Sequence, residues 1–224
     1  MSKLRHPSRS QVLRDYLDGR ANPDLIEGTA DHKGAAPVLV FSGMGPQWWG
    51  MGRELMATQP AFRDFAQEVD RIFAPLAGWS ILDEMARPED QSSVTCTHVA
   101  QPANFVLQAG LFKLLQSWGV DPGVLIGHSV GEVSAAYAAG VLSLEDAVRV
   151  SWLRSKLQAT TAGTGGMLAV GLGAADILPY LDGYHDLVSV GADNAPRTIT
   201  LAGDEAALDA IAEKLTADGI FNRR

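Results

Sequence analysis

The apolar run Val124-Leu125-Ile126 passes through Gly127-His128-Ser129-Val130-Gly131 into an alanine-rich stretch from Glu132 to Ala139. This reads as strand, sharp turn, helix, the setting in which G-x-S-x-G has a mechanical meaning. The chain reverses at the serine, so the residues two before and two after it approach neighbouring backbone, where a side chain would clash. A hydroxyl is thereby presented at the end of a sheet. The helix behind it aims free N–H groups and its positive end at oxygen bound there, with the Val130 N–H as the first donor. The junction implies an α/β fold with a parallel sheet. Taken alone, the same residues also describe a glycine-rich connection in which Ser129 only caps a helix.

Val38-Leu39-Val40-Phe41 is another short apolar run, closed by Ser42-Gly43-Met44-Gly45-Pro46, and predicts a buried strand feeding a tight loop. A helix is expected from about Gly52. Gln101-Pro102-Ala103 opens a further one, with Pro in its first turn and a stripe of Phe105, Leu107, Leu111, Leu114 and Leu115 before Gly119. Ser143 caps a helix running to about Gln158, with Glu145 and Asp146 in its first turn. Beyond the break at 160–166 come strand 167–172, helix 174–181, strands 187–192 and 198–202, helix 204–217 and a strand starting at Ile220-Phe221. That β-α-β-β-α-β order is ferredoxin-like. The expected organisation is a linker over 1–36, a large α/β subdomain over 37–162 and a small ferredoxin-like subdomain over 163–224.

Composition narrows the function classes. With 26 acidic against 18 basic residues the net charge is −8, and no basic stripe offers itself to nucleic acid. The single cysteine, Cys96, excludes an internal disulfide, and no His/Cys cluster has metal-ligand spacing. The N-terminus lacks an apolar signal region, and no stretch approaches the roughly 18 apolar residues of a membrane span. A cytoplasmic protein with no metal, membrane or nucleic-acid partner is expected.

Arg154 is oddly placed. Ala147, Val150, Arg154 and Leu157 fall at 3, 4, 3 spacing, so a permanent cation interrupts an apolar helix face. It needs an anion, and its planar fork suits a carboxylate. The alternatives are a snorkelling side chain or a pair with Glu132 or Asp146.

Gly127-His128-Ser129-Val130-Gly131-Glu132 resembles the G-H-S-x-G-E signature of the malonyl-CoA:acyl carrier protein transacylase family, which includes acyltransferase domains of polyketide and animal-type fatty acid synthases. Phe41 to Trp48 resembles that family's glycine-rich loop, Gln101-Pro102-Ala103 its helix start, and Trp152-Leu153-Arg154-Ser155 its arginine segment. Asn194-Ala195-Pro196 and Ala202-Gly203 resemble its small-lobe patterns, so the likeness runs from about 38 to 224. It implies a hydrolase-like large subdomain with Ser129 as nucleophile and the backbone N–H groups of Gln47 and Val130 as oxyanion donors. It places Arg154 on a substrate carboxylate and Gln101, His128 and Asn194 around the substrate pocket. The implied reaction moves a malonyl- or methylmalonyl-type acyl group from CoA to the phosphopantetheine thiol of an acyl carrier protein, with no permanently bound cofactor and with neighbouring synthase domains as partners. Val130 after the nucleophile resembles malonyl-preferring members, while the extender unit stays open.

A serine nucleophile needs a base, and none of the five histidines fits. His128 is chain-adjacent and points away, His6 and His32 fall in the linker, His98 precedes the Gln101 helix, and His185 belongs to the small subdomain. In the family the base follows the small lobe's last strand, and Phe221-Asn222-Arg223-Arg224 resembles the lead-in to it. A fragment that is nearly inactive alone is therefore expected, a loss of about 10⁴ to 10⁶ in rate. Two rivals stand beside this reading. An α/β-hydrolase-type esterase or thioesterase would use Ser129, Asp176 or Asp182, and His185 in chain order, and a non-catalytic carrier-protein docking fragment would use none of them. Docking of an acidic carrier needs local basic patches, for which Arg197, Arg223 and Arg224 are the candidates. Trp48 and Trp49 either shape an entrance or pack, and packing is the expectation.

Overall fold

The computed structural model describes residues 9–23, 25, 26, 28, 34 and 36–224. His6 and His32 lie outside them. The stretch read as a linker carries one helix, α1 (Arg9–Leu17). The large lobe follows as β1 (Val38–Phe41), α2 (Arg53–Thr58), α3 (Pro60–Ala77), α4 (Ile81–Met85), α5 (Thr97–Ser117), β2 (Val124–Gly127), α6 (Gly131–Ala138) and α7 (Leu144–Ala159). β1 and β2 pair in parallel, with Val38 opposite Val124 and Phe41 opposite Gly127. The two apolar runs are thus neighbours whose C-terminal ends lie side by side.

Helices build the large lobe's core. α3 buries Phe62, Phe65, Ala66, Val69 and Phe73, a one-sided stripe, against Val99, Ala103 and Val106 of α5 and Ala147 and Val148 of α7. The Phe73 ring meets Trp79 and Trp152 edge-on at centroid distances of 4.8 and 5.5 Å. Trp152 ties α7 to this core two residues before Arg154.

The structure corrects the expected start of α5. The helix begins at Thr97, four residues before Gln101, so Pro102 lies in its interior rather than in its first turn. Proline there cannot donate to the carbonyl four residues back, normally a loss of about 3 kcal/mol. The carbonyl released belongs to His98; the Ser155 hydroxyl of α7 lies 3.4 Å from it but donates to Trp152 O of its own helix at 2.7 Å.

The small lobe comprises β3 (Gly166–Val170), α8 (Leu178–Leu181), β4 (Val188–Ala195), β5 (Thr198–Gly203), α9 (Glu205–Ala217) and β6 (Asn222–Arg223). Its antiparallel sheet has the order β4-β5-β3-β6, with the lobe's first strand between its third and fourth, as the ferredoxin-like motif requires. Leu168, Val170, Ile199, Leu201, Leu208, Ile211 and Leu215 form a separate core. Several boundaries differ from expectation, β3 ending at Val170 rather than at 172. Residues 174–177 form turns, so α8 is confined to the four residues around Pro179. β4 runs on to Ala195 because irregularities at Val190/Ala192 and Asp193/Ala195 let the ladder absorb extra residues. The last strand lies at 222–223, two residues later than read, although the Gly171 N–H still bonds Phe221 O at 2.8 Å.

Among the described residues no helix is long and apolar enough to cross a membrane, and no group of three or more His, Cys, Asp or Glu could hold a metal ion.

Candidate active site

Ser129 stands at the junction of β2 and α6 with φ 53°, a left-handed conformation that no other described non-glycine residue adopts. Such a backbone costs about 1–3 kcal/mol and persists only where its surroundings impose it. The flanking glycines show how. A Cβ on Gly131 would lie 2.1 Å from Phe41 O and 2.6 Å from Ser42 O, and one on Gly127 would lie 2.4 Å from Glu132 Cα. The end of β1 is therefore pressed against the start of α6, and the His128 N–H bonds Phe41 O at 2.9 Å. The Ser129 side chain caps nothing: the N-cap of α6 is Val130, without a side-chain cap bond. The hydroxyl is free for other work.

Two backbone donors are available beside it. The N–H groups of Gly131, Glu132 and Val133 are taken by the carbonyls of His128, Ser129 and Val130, whereas the Val130 N–H makes no hydrogen bond among the described residues. The Gln47 N–H makes none either. Gln47 closes the 42–47 loop, its side-chain oxygen accepting from the Gly45 N–H at 2.7 Å. That loop packs on the elbow, since a Cβ on Gly43 would lie 2.8 Å from His128 Nδ1 and 3.4 Å from Ser129 Cβ.

Arg154 Nη2 points at Ser129 Oγ from 3.4 Å. Its Nη1 donates to the Oε1 of Gln101 and, at 3.3 Å, to the Oε1 of Gln158. Gln101, only 2% exposed, donates its own Nε2–H to Gln158 Oε1 at 2.8 Å. Among the described residues no carboxylate pairs with Arg154, and Asp146 instead accepts from the Ser143 hydroxyl at 2.7 Å. Neither the snorkelling arginine nor the pair with Glu132 or Asp146 is what the structure forms. The guanidinium is half-buried, oriented by neutral oxygens, and carries an unbalanced charge next to the hydroxyl.

His128 and Asn194 join the lobes, with His128 Nε2 3.0 Å from Asn194 Oδ1. Asn194 Nδ2 donates to Thr200 Oγ1 at 3.1 Å, so Asn194 links His128 to β5. Of the described histidines, His98, His128 and His185, none hydrogen-bonds Ser129. His185 sits 3.6 Å from Asp182 on the exposed small-lobe surface. The basic patch is smaller than expected, because Arg224 faces Glu205 and Asp209 at 3.9 and 3.6 Å. Arg53 lies 4.5 Å over the Trp49 ring, and Trp49 packs on the core as expected, whereas Trp48 is 54% exposed.

Two site residues escaped the sequence reading. Gln158 had a signal, four positions after Arg154 on one helix face. Gln108 had one too, two turns after Gln101, and its Nε2 holds the loop by donating to Ser42 O at 2.8 Å.

The acyl transferase domain family matches residues 38–224. The chain is 37% identical over 231 residues to the erythronolide synthase EryA2 of Saccharopolyspora erythraea, covering 98% of this chain and 6% of that protein. A crystal structure of the acyltransferase domain from the second module of the salinomycin polyketide synthase superposes with a TM-score of 0.85 at 35% identity, covering 98% of this chain and 52% of that one. The malonyl-CoA:ACP transacylase of Synechocystis sp. PCC 6803 gives a TM-score of 0.69 at 30% identity, over 85% of this chain and 60% of the other. The chain thus spans a small part of the synthase and about half of the solved salinomycin domain.

Proposed function

Because the chain belongs to the acyl transferase domain family, we propose that it carries the transfer of a malonyl-type acyl group from CoA, through an ester on Ser129, to the phosphopantetheine thiol of an acyl carrier protein within a multidomain synthase. The observation that carries this reading is the uncompensated guanidinium of Arg154, 3.4 Å from Ser129 Oγ. A neutral acyl group gives that charge no partner. An acyl group ending in a carboxylate does, and two parallel N–H donors suit its two oxygens.

In the proposed reaction Ser129 Oγ attacks the thioester carbonyl carbon and loses its proton to a base. The oxyanion rests on the Gln47 and Val130 N–H groups, the C–S bond breaks, and CoA leaves as the thiol. The carrier thiol then repeats the sequence on the seryl ester, restoring the hydroxyl. Gln101, His128 and Asn194 shape the pocket, through Arg154 in the first case and through the lobe-to-lobe bond in the others. No described histidine is assigned as base, so the 224-residue polypeptide is expected to acylate slowly, by about 10⁴ to 10⁶ against a site with a base in place.

Intact-mass measurement after prolonged incubation with malonyl-CoA or acetyl-CoA tests this. A slow adduct absent from Ser129→Ala is expected, with Arg154→Ala lowering the malonyl adduct about 10²-fold and the acetyl adduct little. An adduct persisting on Ser129→Ala, or equal losses with both donors, would overturn the assignment.

A further inference from the structure

We infer that Gln158 is a positioning residue that, with Gln101, holds Arg154 in a wholly neutral cradle and so reserves its charge for a ligand carboxylate. The inference rests on the reading of Arg154 as a carboxylate clamp and names the device that keeps the clamp open.

The argument starts from what an arginine beside a hydroxyl would otherwise do. A cation close to a protein acid pairs with it, and a ligand carboxylate must then displace that acid. Acids are abundant in this chain, yet both oxygens on Nη1 belong to amides. Amide oxygens orient a guanidinium through charge-assisted hydrogen bonds without cancelling its charge.

Gln158 does a second thing. Gln101 could present either its oxygen or its NH₂ to Arg154, and an NH₂ facing a guanidinium would set donor against donor. The bond from Gln101 Nε2 to Gln158 Oε1, 2.8 Å long, settles the choice by turning the Gln101 oxygen toward Nη1. One oxygen on Gln158 thus fixes two neighbours, and the four-residue spacing on α7 places it one turn from Arg154. Gln158 also lines a cleft of about 760 Å³ between the end of α7 and the small lobe, with Thr161, Met167, Ala202 and Asp204. A changed side chain at 158 has space there, so substitution tests electrostatics more than packing.

Gln158→Glu is the decisive variant. Its carboxylate can accept both hydrogen bonds and adds the charge that the cradle lacks. Dissociation constants for malonyl-CoA and acetyl-CoA are measured by calorimetry on the full chain carrying Ser129→Ala, so that no ester forms. Gln158→Glu should weaken malonyl-CoA about tenfold or more and change acetyl-CoA less than about twofold. Gln158→Leu, which frees the Gln101 amide, should lower the malonyl-to-acetyl preference about threefold. A role limited to folding would move both ligands together. If both variants keep the parent's preference while Arg154→Ala loses it, the inference fails and the clamp stands. If Arg154→Ala also keeps the preference, the clamp reading is wrong and the inference falls with it.

Discussion

The two sheets of this molecule solve opposite problems. In the small lobe, Thr198-Ile199-Thr200-Leu201 alternates, and the structure buries Ile199 and Leu201 completely while the threonines face outward. In the large lobe, Val38-Leu39-Val40-Phe41 and Val124-Leu125-Ile126 are apolar at every position. Phe41, Leu39 and Leu125 pack toward Phe112 and Ala135, whereas Val40 and Ile126 are 67% and 48% exposed on the other face. One sheet is held by side chains filling a core. The other packs one face on Phe112 and Ala135 and, where its strands end, makes a backbone contact that only glycine permits, with the strained Ser129 beside it. The candidate site depends locally on the absence of side chains at 127 and 131, whereas the small lobe's sheet depends on the side chains at 199 and 201.

Gly131→Ala should break this contrast most severely. The added methyl meets the carbonyl oxygens of both Phe41 and Ser42, neither of which can retreat without separating β1 from α6. A loss of about 4 kcal/mol is expected in chemical denaturation, with Ser129 leaving its left-handed conformation. Hydrogen exchange should show the loss in α6 and the ends of β1 and β2 while β3 and β5 keep their protection. Equal loss in both lobes would mean that they fold as one unit and that the contrast is only geometric.

Ile199→Ala sharpens the comparison from the other side. Truncating this fully buried side chain should cost about 3 kcal/mol through lost burial and the cavity left behind. The damage should concentrate in the small lobe. It should reach the site only through the His128–Asn194 bond, so slow acylation of Ser129 falls far less than stability does. A proportionate loss of acylation would show that the small lobe holds the elbow itself.

The same division explains what could be read from the sequence. The elbow was legible because its physics is local: glycines at 127 and 131 around a serine between a strand and a helix leave few alternatives. The small lobe was legible through its strand and helix order, to which the structure adds a cap at Asp204, its carboxylate accepting the Ala207 N–H at 2.9 Å. The early start of α5 was not, because Cys96 provides no side-chain cap to mark it and the proline that seemed to open the helix lies in its interior. Nor was the extension of β4, which depends on irregular pairing with β5. Gln158 was overlooked for a different reason. A search for charges around Arg154 looks for acids, and the site orients its cation with amides.

The smallest expected effect concerns the small lobe's rim. Tyr180 of α8 donates its phenol O–H to Asp218 Oδ2 at 2.6 Å, joining the ends of α8 and α9. That hydrogen bond, then desolvation and the nearby negative charge, raise the Tyr180 pKa above its ordinary value of 10.0. The sign follows from which form is favoured: folding stabilises the protonated phenol, so its contribution is fully present below about pH 10 and is lost as pH climbs through the raised folded-state value. Ultraviolet titration of the folded protein should therefore show a late-ionising phase that Tyr180→Phe removes. The variant's unfolding midpoint should fall slightly at pH 8 and converge with the parent's at the alkaline end, while the large-lobe elbow stays unaffected at both. A late phase surviving in Tyr180→Phe would place it on another tyrosine and leave the α8–α9 rim without its polar tie.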